Sequence, residues 1–315
     1  MKTVHLLYFS IFCLLISGCS PQKSRKESSA PSVAQESPAD LTVLRNNIES
    51  IIKDKKATVG VAVILNGKDT LTIRNMDRYP MMSVYKFHQA LAICDYLKTH
   101  NIPLATILHL DKKFFKPNTY SPLRDKYPQG NIDLSLSELL TYTLQLSDNI
   151  ACDILFDYIG GVSVVDKYIH SLGIKDVSIT TTEDEMHQDM EGCYENWSTP
   201  LAAVRLLEIF TTDESLKNEY TDFVKRTMVE CQTGKDRLVA PLSEKGITIG
   251  HKTGTSDKNS HGEYIGTNDI GFVTLPDGTR YTIAVFVKNS QEEMSTNAKI
   301  IADISAAVYQ YIRFL

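Results

Sequence analysis

The sequence predicts an α+β fold, in which a five-stranded antiparallel sheet carries a helix from each terminus and an all-helical lobe is inserted into it. Two β-like runs follow the first helical stretch, three more lie near the C-terminus, and a long helical region separates the two sets. The helical region between the two sets of strands predicts two lobes, a sheet lobe of residues 41–80 and 232–315 and a helical lobe of residues 81–231. At 315 residues the chain is long enough to bury such a core.

The first elements are a helix and a hairpin. Leucine and isoleucine recur at helical spacing over residues 41–51, which predicts a helix with one buried face. Val59–Leu65 and Asp69–Asn75 are then two β-like runs joined at Asn66-Gly67. Asn-Gly between apolar runs is the strongest short hairpin pattern, so these runs are predicted to pair.

The middle of the chain has helical patterns with recognisable ends. Glycines at 160–161 and 173 favour helix ends, and Ser198-Thr199-Pro200 favours a helix start, because these residue types supply C-caps, N-caps and first turns. The predicted helices begin at Ser83 and then cover Leu134–Thr143 with a capping box at Ser135-x-x-Glu138, Asn149–Ile159, Val162–Leu172, about 198–211 and Leu216–Glu230.

Strands return near the C-terminus. The runs Ile247–Lys252, Ile270–Leu275 and Arg280–Lys288 predict three strands, and Pro276-Asp277-Gly278 predicts a turn between the last two. A closing helix is expected from about Ser295 to Arg313. These three strands and the first pair make up the five-stranded sheet.

Composition narrows the function classes. The net charge of -5, with both signs interspersed, leaves no basic stripe, so no nucleic-acid partner is expected. The eight histidines and the cysteines lack metal-ligand spacing, so neither a metal nor a cofactor is expected. Four cysteines lie beyond the N-terminal region (Cys94, Cys152, Cys193 and Cys231), and they are too scattered to predict an essential disulfide.

The N-terminus predicts export. Lys2 precedes an apolar run from Val4 to Ile16, which is too short to span a bilayer and suits a signal peptide over residues 1–18. The segment that ends in Ser17-Gly18-Cys19 resembles the lipobox of bacterial lipoproteins, which implies that Cys19 carries a lipid. Residues 19–40 then form a flexible tether. We expect a lipoprotein on the periplasmic side, anchored to the membrane at Cys19.

One short motif has the chemistry of a nucleophile. Ser83 and Lys86 lie three residues apart at a predicted helix start, which places both side chains on one helix face. A lysine can take the proton of a serine hydroxyl if its surroundings lower its pKa. The same spacing occurs at Ser50 and Lys53, in the ordinary first helix, so the motif alone decides nothing.

Two further motifs make the pattern specific. Ser147-Asp148-Asn149 occurs at a predicted helix start, and Lys252-Thr253-Gly254 occurs at the end of a predicted strand. Taken alone, the first motif is typical of a helix N-cap and the second of a turn that follows a strand. In this order, the three motifs are the signature of class A β-lactamases and penicillin-binding proteins.

From about residue 41 to residue 315 the chain resembles class A serine β-lactamases, and most closely their extended-spectrum cephalosporinase subgroup. The resemblance implies a monomer that hydrolyses cephalosporins and penicillins, giving antibiotic resistance. Ser83 would attack the lactam carbonyl, Lys86 would exchange protons with it, and Ser147 would pass a proton to the lactam nitrogen. Lys252 would orient Ser147, and the backbone N–H groups of Ser83 and Thr255 would form the oxyanion hole.

The resemblance also implies which residues contact the substrate. Asn149 would bind the substrate amide, Tyr120 would wall the entrance, and Arg237 would join Lys252 at the substrate carboxylate. For Arg237, the alternative is a solvated cation at a helix end. The implied substrate-binding set is Tyr120, Asn149, His187, Arg237, Thr253, Gly254 and Thr255.

The deacylation base is expected on an Ω-type loop over about residues 178–197. Glu183 stands in the position of the family's general base, which activates the hydrolytic water, and Glu185 is a competitor by composition. Met186, in the position of a family leucine, favours Glu183. His187 replaces the usual asparagine, and its imidazole could also hold that water.

The residues that brace this loop depart from the family pattern. Thr181 and Asn196 replace the usual arginine–aspartate clamp, and Asp153 replaces a bracing asparagine. An ionised aspartate accepts hydrogen bonds but donates none, so the loop must be held differently. We expect a different loop path and a wider cavity that admits bulky cephalosporin side chains.

Two alternative functions are compatible with the serine–lysine motif. Penicillin-binding enzymes and serine glutaminases use similar nucleophiles, and fast deacylation through Glu183 is what separates a β-lactamase from them. A lipid-anchored binding protein that does not turn over substrate would lack a nucleophile or a lysine, and every motif residue is present here.

Overall fold

A computed structural model describes residues 40–314. These residues contain ten strands: β1 (Thr58–Leu65), β2 (Asp69–Ile73), β3 (Tyr79–Pro80), β4 (Ile107–Leu110), β5 (Ile132–Ser135), β6 (Val177–Ser178), β7 (Trp197–Ser198), β8 (Thr248–Thr255), β9 (Tyr264–Thr274) and β10 (Arg280–Ser290). The main sheet has the order β2-β1-β10-β9-β8, and every neighbouring pair is antiparallel. The predicted five-stranded antiparallel sheet is confirmed.

The same residues contain ten α-helices: α1 (Thr42–Ile52), α2 (Tyr85–His100), α3 (Pro122–Lys126), α4 (Leu136–Gln145), α5 (Asn149–Ile159), α6 (Val162–Ser171), α7 (Glu183–Gln188), α8 (Pro200–Thr212), α9 (Glu219–Val229) and α10 (Met294–Arg313). A 3₁₀ turn at Met82–Val84 leads directly into α2. Ser83 therefore lies in this turn, two residues before Tyr85, where regular helix begins.

Two buried clusters cover the two faces of the main sheet. On one face, apolar residues of α1 and α10, such as Ile48 and Ile301, pack against sheet residues such as Val63 and Val285. The other face joins the larger cluster formed by the helices of the inserted segment, and α8 packs there against β1, β9 and β10. The terminal helices thus cover one face, as predicted. The division into lobes at residues 80–81 and 231–232 stays a prediction.

Local sequence patterns correctly predicted one hairpin turn and the N-terminal caps of two helices. Asn66 and Gly67 both have positive φ, 48° and 70°, in the turn between β1 and β2, and asparagine and glycine tolerate that region best. Ser135 caps α4, and Glu138 reaches back to the Ser135 backbone, so the predicted capping box is confirmed. Thr199 caps α8, with Pro200 in the first turn.

Two predictions of local structure need correction. β9 begins at Tyr264, six residues before the predicted start at Ile270, because Thr267, Asn268 and Asp269 are polar but buried in the strand. The insert, expected to be all helical, also contains the β4–β5 pair and the strands β6 and β7, which form a small sheet with β3 in the order β3-β7-β6. Strands of two to four residues are too short to show a β period.

The predicted signal peptide, the lipidated Cys19 and nearly all of the predicted tether lie outside the described residues. Between residues 40 and 314, no helix is both long and apolar enough to cross a bilayer. The cysteines of this part of the chain, Cys94, Cys152, Cys193 and Cys231, are free thiols and all are buried.

His88 makes the fold sensitive to acid. This α2 side chain is fully buried, and its ring nitrogens make no hydrogen bond of normal geometry to the residues described. Burial lowers the pKa of His88 from 6.5 to about 4, and the nearby Val84 carbonyl offsets this only in part. The unfolded chain therefore binds the proton more readily, so stability falls as the pH drops from about 6.5 to about 4.

We expect His88 alone to remove about 3 kcal/mol from the free energy of unfolding between pH 7 and pH 4. His88→Leu, which fills similar volume without a titratable group, should lose less stability over that interval. Urea unfolding of both proteins at pH 7, 5.5 and 4 measures the difference. Equal pH dependence in the two proteins would refute this role of His88.

Candidate active site

The nucleophile candidate lies in a tightly packed turn. Met82, directly before Ser83, has a φ of 48°, in the left-handed region that side chains rarely adopt. The end of β8 packs against this turn so closely that a Cβ on Gly254 would lie 2.4 Å from the Met81 carbonyl oxygen. Asn268 donates from its amide nitrogen to the carbonyls of Pro80 and Met81. Glycine is thus required at 254, and β8 and β9 fix the position of Ser83.

Lys86 links three segments of the chain. It is fully buried in the first turn of α2. Its Nζ donates to the Ser147 carbonyl and to Asn149 Oδ1, each at 2.7 Å, and lies 3.0 Å from Glu183 Oε1. Two uncharged acceptors and one carboxylate therefore surround this buried ammonium group, which offsets the cost of its burial.

The Ser147-Asp148-Asn149 segment is held by its aspartate. Asp148 caps α5 by accepting from Ala151 N, and it also accepts from the Ser121 hydroxyl and from Leu123 N. Ser147 has a φ of 59°, so its backbone departs from the helix directly before the cap. The aspartate thereby joins the Tyr120 segment to the start of α5 and presents Ser147 and Asn149 to the cavity.

Lys252 faces Ser147 from the main sheet. Lys252 belongs to β8 and is fully buried. Its Nζ donates to Ser147 Oγ and to the carbonyl oxygen of the next residue, Thr253, each at 2.9 Å. Burial, and then repulsion from Lys86, lower the pKa of Lys252 to about 7. An ammonium group with a pKa near neutrality can pass a proton through the Ser147 hydroxyl.

Helix α7 of the loop carries two glutamates, Glu183 and Glu185, and of these only Glu183 lies beside Lys86. Glu183 is buried at the start of α7. Glu185 is exposed, and its carboxylate accepts from the backbone N–H and hydroxyl of Thr182 in a capping box. The capping role and exposure of Glu185 leave Glu183 as the carboxylate positioned for chemistry.

The residues that depart from the family pattern form the brace of this loop. Asp153 accepts from the backbone N–H groups of Glu183 and Asp184, each at 2.9 Å. Asn196 accepts from Thr180 N and Thr181 N and donates to the Thr181 carbonyl. The aspartate thus only accepts, as its chemistry requires, and the amide both accepts and donates.

Asp153 makes the position of Glu183 depend on pH. Burial, and then repulsion from Glu183, raise the pKa of Asp153 from 3.8 to about 7. The folded protein therefore takes up this proton as the pH falls through about 7, and the protonated carboxyl accepts more weakly from the two N–H groups, because one of its oxygens becomes a hydroxyl donor. We expect deacylation to slow between about pH 8 and pH 6.

Asp153→Asn resembles the protonated state, so its deacylation should be about tenfold slower than that of the parent at pH 8 and nearly independent of pH. Single-turnover kinetics from pH 6 to 8 measure this directly. A variant that keeps the parent's pH profile would contradict a role for Asp153 in positioning Glu183.

These side chains surround one cavity of about 510 Å³. Most of the predicted site residues line it: Ser83, Tyr120, Ser147, Asn149, Glu183, His187, Arg237, Thr253 and Thr255. Lys86 and Lys252 lie behind this lining, where they bond to Ser147. Gly254 does not line the cavity, and its carbonyl accepts from Arg237.

Arg237 is a buried residue, which excludes a solvated helix-end cation. Its Nη1 donates to the carbonyls of Gly254 and Asn268, and Nη2 donates to Thr255 Oγ1 at 2.7 Å. Burial lowers the pKa of the guanidinium, and attraction to Asp269 opposes this change. Arg237 therefore holds the end of β8 in place while it faces the cavity.

Other lining residues were not predicted. Met186, Met190 and Cys193 form an apolar wall beside Glu183, and Thr233 lies near Arg237. Two of them could have been anticipated, because Thr233 stands four residues before Arg237, which the resemblance had marked, and Met186 had been noted beside Glu183. The methionines and the cysteine come together through the path of the loop, which no local period reveals.

Comparisons with known proteins agree with this geometry. A family model described as the beta-lactamase enzyme family matches residues 43–312. A β-lactamase of Bacteroides uniformis is 44% identical over 274 residues, which cover 87% of this chain and 92% of that protein.

Two solved structures are similar over nearly all of their length. The TLA-3 extended-spectrum β-lactamase has 46% identity and a TM-score of 0.83, covering 86% of this chain and 98% of its own. A representative class A β-lactamase from Bacteroides cellulosilyticus DSM 14838 has 45% identity and a TM-score of 0.82, with the same coverage.

Proposed function

This chain belongs to the β-lactamase enzyme family and is a class A serine β-lactamase, and from that premise we propose how its residues hydrolyse penicillins and cephalosporins. The observation that supports the proposal most strongly is the buried contact of Lys86 with Glu183, 3.0 Å apart, at the base of the cavity that Ser83 lines. A carboxylate there can take a proton from a water molecule near the acylated serine.

Acylation uses the first two motifs. The Ser83 oxygen attacks the lactam carbonyl carbon, a C–O bond forms, and the lactam C–N bond breaks. The serine proton leaves toward Lys86 and Glu183, and Ser147, oriented by Lys252, supplies a proton to the departing nitrogen. The backbone N–H groups of Ser83 and Thr255 stabilise the oxyanion.

Deacylation uses the loop. Glu183 removes a proton from water, the hydroxide attacks the ester carbonyl, and the Ser83 oxygen leaves with a proton returned through the same network. His187 lines the cavity near Glu183 and offers a ring nitrogen to that water.

The carboxylate that β-lactams carry binds at the other end of the cavity, where Arg237 and Lys252 supply positive charge and Thr253 and Thr255 supply hydroxyl groups. Arg237→Ala should raise KM and lower kcat/KM about 30-fold, because a charge-assisted hydrogen bond contributes about 2 kcal/mol. A substrate whose carboxylate is esterified supplies the control. An equal loss with the ester would mean that Arg237 acts only by holding β8.

The direct test of this function is steady-state hydrolysis of a chromogenic cephalosporin by the purified protein. Sustained turnover well beyond one equivalent is expected. A single stoichiometric burst followed by arrest would favour a penicillin-binding DD-peptidase instead, because those enzymes acylate without rapid hydrolysis.

We also propose that this enzyme belongs to the extended-spectrum subgroup. Three observations support this proposal: the loop is braced by Asp153 and Asn196, which depart from the family pattern, Met186 and Met190 form an apolar wall, and the chain is similar to TLA-3. We expect the loop to leave room for bulky cephalosporin side chains. The ratio of kcat/KM for an oxyimino-cephalosporin to that for a small penicillin tests it, and a very low ratio would refute it.

We further propose that the protein is a monomeric lipoprotein on the periplasmic side, attached to the membrane through Cys19. The apolar run before Ser17-Gly18-Cys19 and the polar segment after it support the anchor. Labelling of growing cells with a palmitate analogue should mark the parent and leave Cys19→Ala unmarked. Equal labelling of both proteins would exclude lipidation at this cysteine.

A further inference from the structure

A pair of threonine hydroxyl groups lies at the end of the cavity where the substrate carboxylate is proposed to bind. Thr233 follows α9, Thr253 lies on β8, and both line the cavity. Their Oγ1 atoms are 2.7 Å apart, the usual distance of an O–H···O hydrogen bond. The pair therefore joins two segments of the cavity wall, and the mechanism above gives Thr233 no role.

The side chain of Thr253 is held in one orientation. A Cβ on Gly234 would lie 2.3 Å from Thr253 Cγ2, so the methyl group of Thr253 fills the space that a side chain at position 234 would need. A β-branched side chain has few rotamers. With its methyl group against Gly234 and its hydroxyl group against Thr233, Thr253 has little freedom to turn.

A bound carboxylate would set the direction of the hydrogen bond between the two threonines. A hydroxyl group has one proton, and an ionised carboxylate accepts hydrogen bonds but donates none. When Thr253 gives its proton to the carboxylate, its bond to Thr233 persists only if Thr233 is the donor. Thr253 then accepts from one partner and donates to the other.

The surroundings of Thr233 leave its proton available for Thr253. Thr233 Oγ1 also lies 3.4 Å from Cys231 Sγ, but sulfur is a weak acceptor beside a hydroxyl oxygen. The Cys231 thiol has backbone carbonyl acceptors of its own at 3.8–4.0 Å, those of Leu144, Gln145 and Thr233. The thiol can therefore donate to a carbonyl, and Thr253 Oγ1 is the stronger acceptor for the Thr233 proton.

Donation by Thr233 should strengthen donation by Thr253. A hydroxyl group that accepts a hydrogen bond is polarised and becomes a better donor, and the effect is largest where water is excluded. Thr253 is only 4% exposed. The hydroxyl group of Thr253 is thus both oriented and polarised by its neighbour.

We propose that Thr233 is a positioning residue for substrate binding, which orients the Thr253 hydroxyl group and donates to it, so that Thr253 donates to the carboxylate of a β-lactam. This inference rests on the proposed function, in which the carboxylate binds at this end of the cavity. Arg237 and Lys252 supply positive charge there, whereas Thr233 acts only through a hydrogen bond. Its contribution should therefore appear in binding and leave the chemical steps unchanged.

The first test compares Thr233→Val, which keeps the shape of the side chain without the hydroxyl group, with Thr233→Ser, which keeps the hydroxyl group. Thr233→Val should raise KM for a cephalosporin about fivefold and leave kcat within about twofold of the parent, because it removes one neutral hydrogen bond. Thr233→Ser should keep KM within about twofold of the parent. Equal KM in Thr233→Val and the parent, or an equal rise in Thr233→Ser, would overturn the proposal.

Thr143→Val is the matched control. Thr143 is a buried threonine whose hydroxyl group makes no hydrogen bond to residues 40–314, so its loss should leave KM unchanged. A fivefold rise in KM here as well would mean that any buried threonine in this lobe affects binding, which would overturn a specific role of Thr233.

The second test asks whether Thr233 acts through Thr253 or contacts the substrate itself. In the Thr253→Val background, Thr233→Val should have no further effect on KM, because the acceptor of its proton is gone. Independent losses that multiply would overturn the proposal, since Thr233 would then bind the substrate directly.

Equilibrium binding separates this inference from the proposed function. Calorimetric titration of Ser83→Ala with a cephalosporin measures the dissociation constant without turnover, and the added change Thr233→Val should raise that constant about fivefold. If the parent hydrolyses the cephalosporin but the constant does not change, the role of Thr233 alone is overturned. A protein that neither binds nor hydrolyses the cephalosporin would overturn both.

Discussion

Ser83→Ala is expected to lower kcat/KM for cephalosporins by about 10⁴-fold or more, because it removes the oxygen on which the acyl bond forms. The fold should persist, since Ser83 is only partly buried and alanine suits the turn before α2. Steady-state hydrolysis measures the loss, and a thermal unfolding curve shows whether the variant is folded.

The chain supplies a matched control for this substitution. Ser50 stands three residues before Lys53, as Ser83 stands before Lys86, but it is exposed on α1. Ser50→Ala should keep full activity. Comparable loss in both variants would contradict the claim that the placement of Ser83 in the cavity, and not its spacing from a lysine, makes it the nucleophile.

Glu183→Gln is the second large effect, and it should slow deacylation by about 10³-fold while acylation continues. Glutamine keeps the shape of the side chain but cannot take a proton from water. Stopped-flow kinetics should show a burst of one equivalent, followed by a very slow steady state.

Glu185→Gln is the comparison for this variant, because an amide oxygen can still accept from Thr182 in the capping box. It should retain the parent's steady-state rate. If Glu185→Gln stalls and Glu183→Gln turns over, the base has been assigned to the wrong glutamate.

Much of the site could be predicted because its chemistry is concentrated in short motifs at element ends. The cap at Asp148 and the close approach at Gly254 leave little freedom in residue type, so the residues themselves indicate the geometry. Ser83 and Ser50 show the limit of such reading, since only their places in the fold separate two identical spacings.

Other features of the fold and the site could not be predicted, because they depend on contacts between residues that are distant in sequence. Thr267, Asn268 and Asp269 look like loop residues, yet they continue β9 because their polar groups find partners on the Ser83 turn, on β8 and on α10. Asp153 and Asn196 were recognised as departures, but the groups that they bond became visible only in the fold. His251 and Asp269 likewise pair across two strands, β8 and β9.

Intact-protein mass spectrometry after mixing with a cephalosporin tests the central claim most directly, namely that Ser83 forms an acyl-enzyme that Glu183 hydrolyses. Glu183→Ala should gain the mass of the ring-opened acyl group, located on the peptide that contains Ser83, and the parent should return to its free mass within the mixing time. A parent that stays acylated, or an adduct on any other residue, would contradict it.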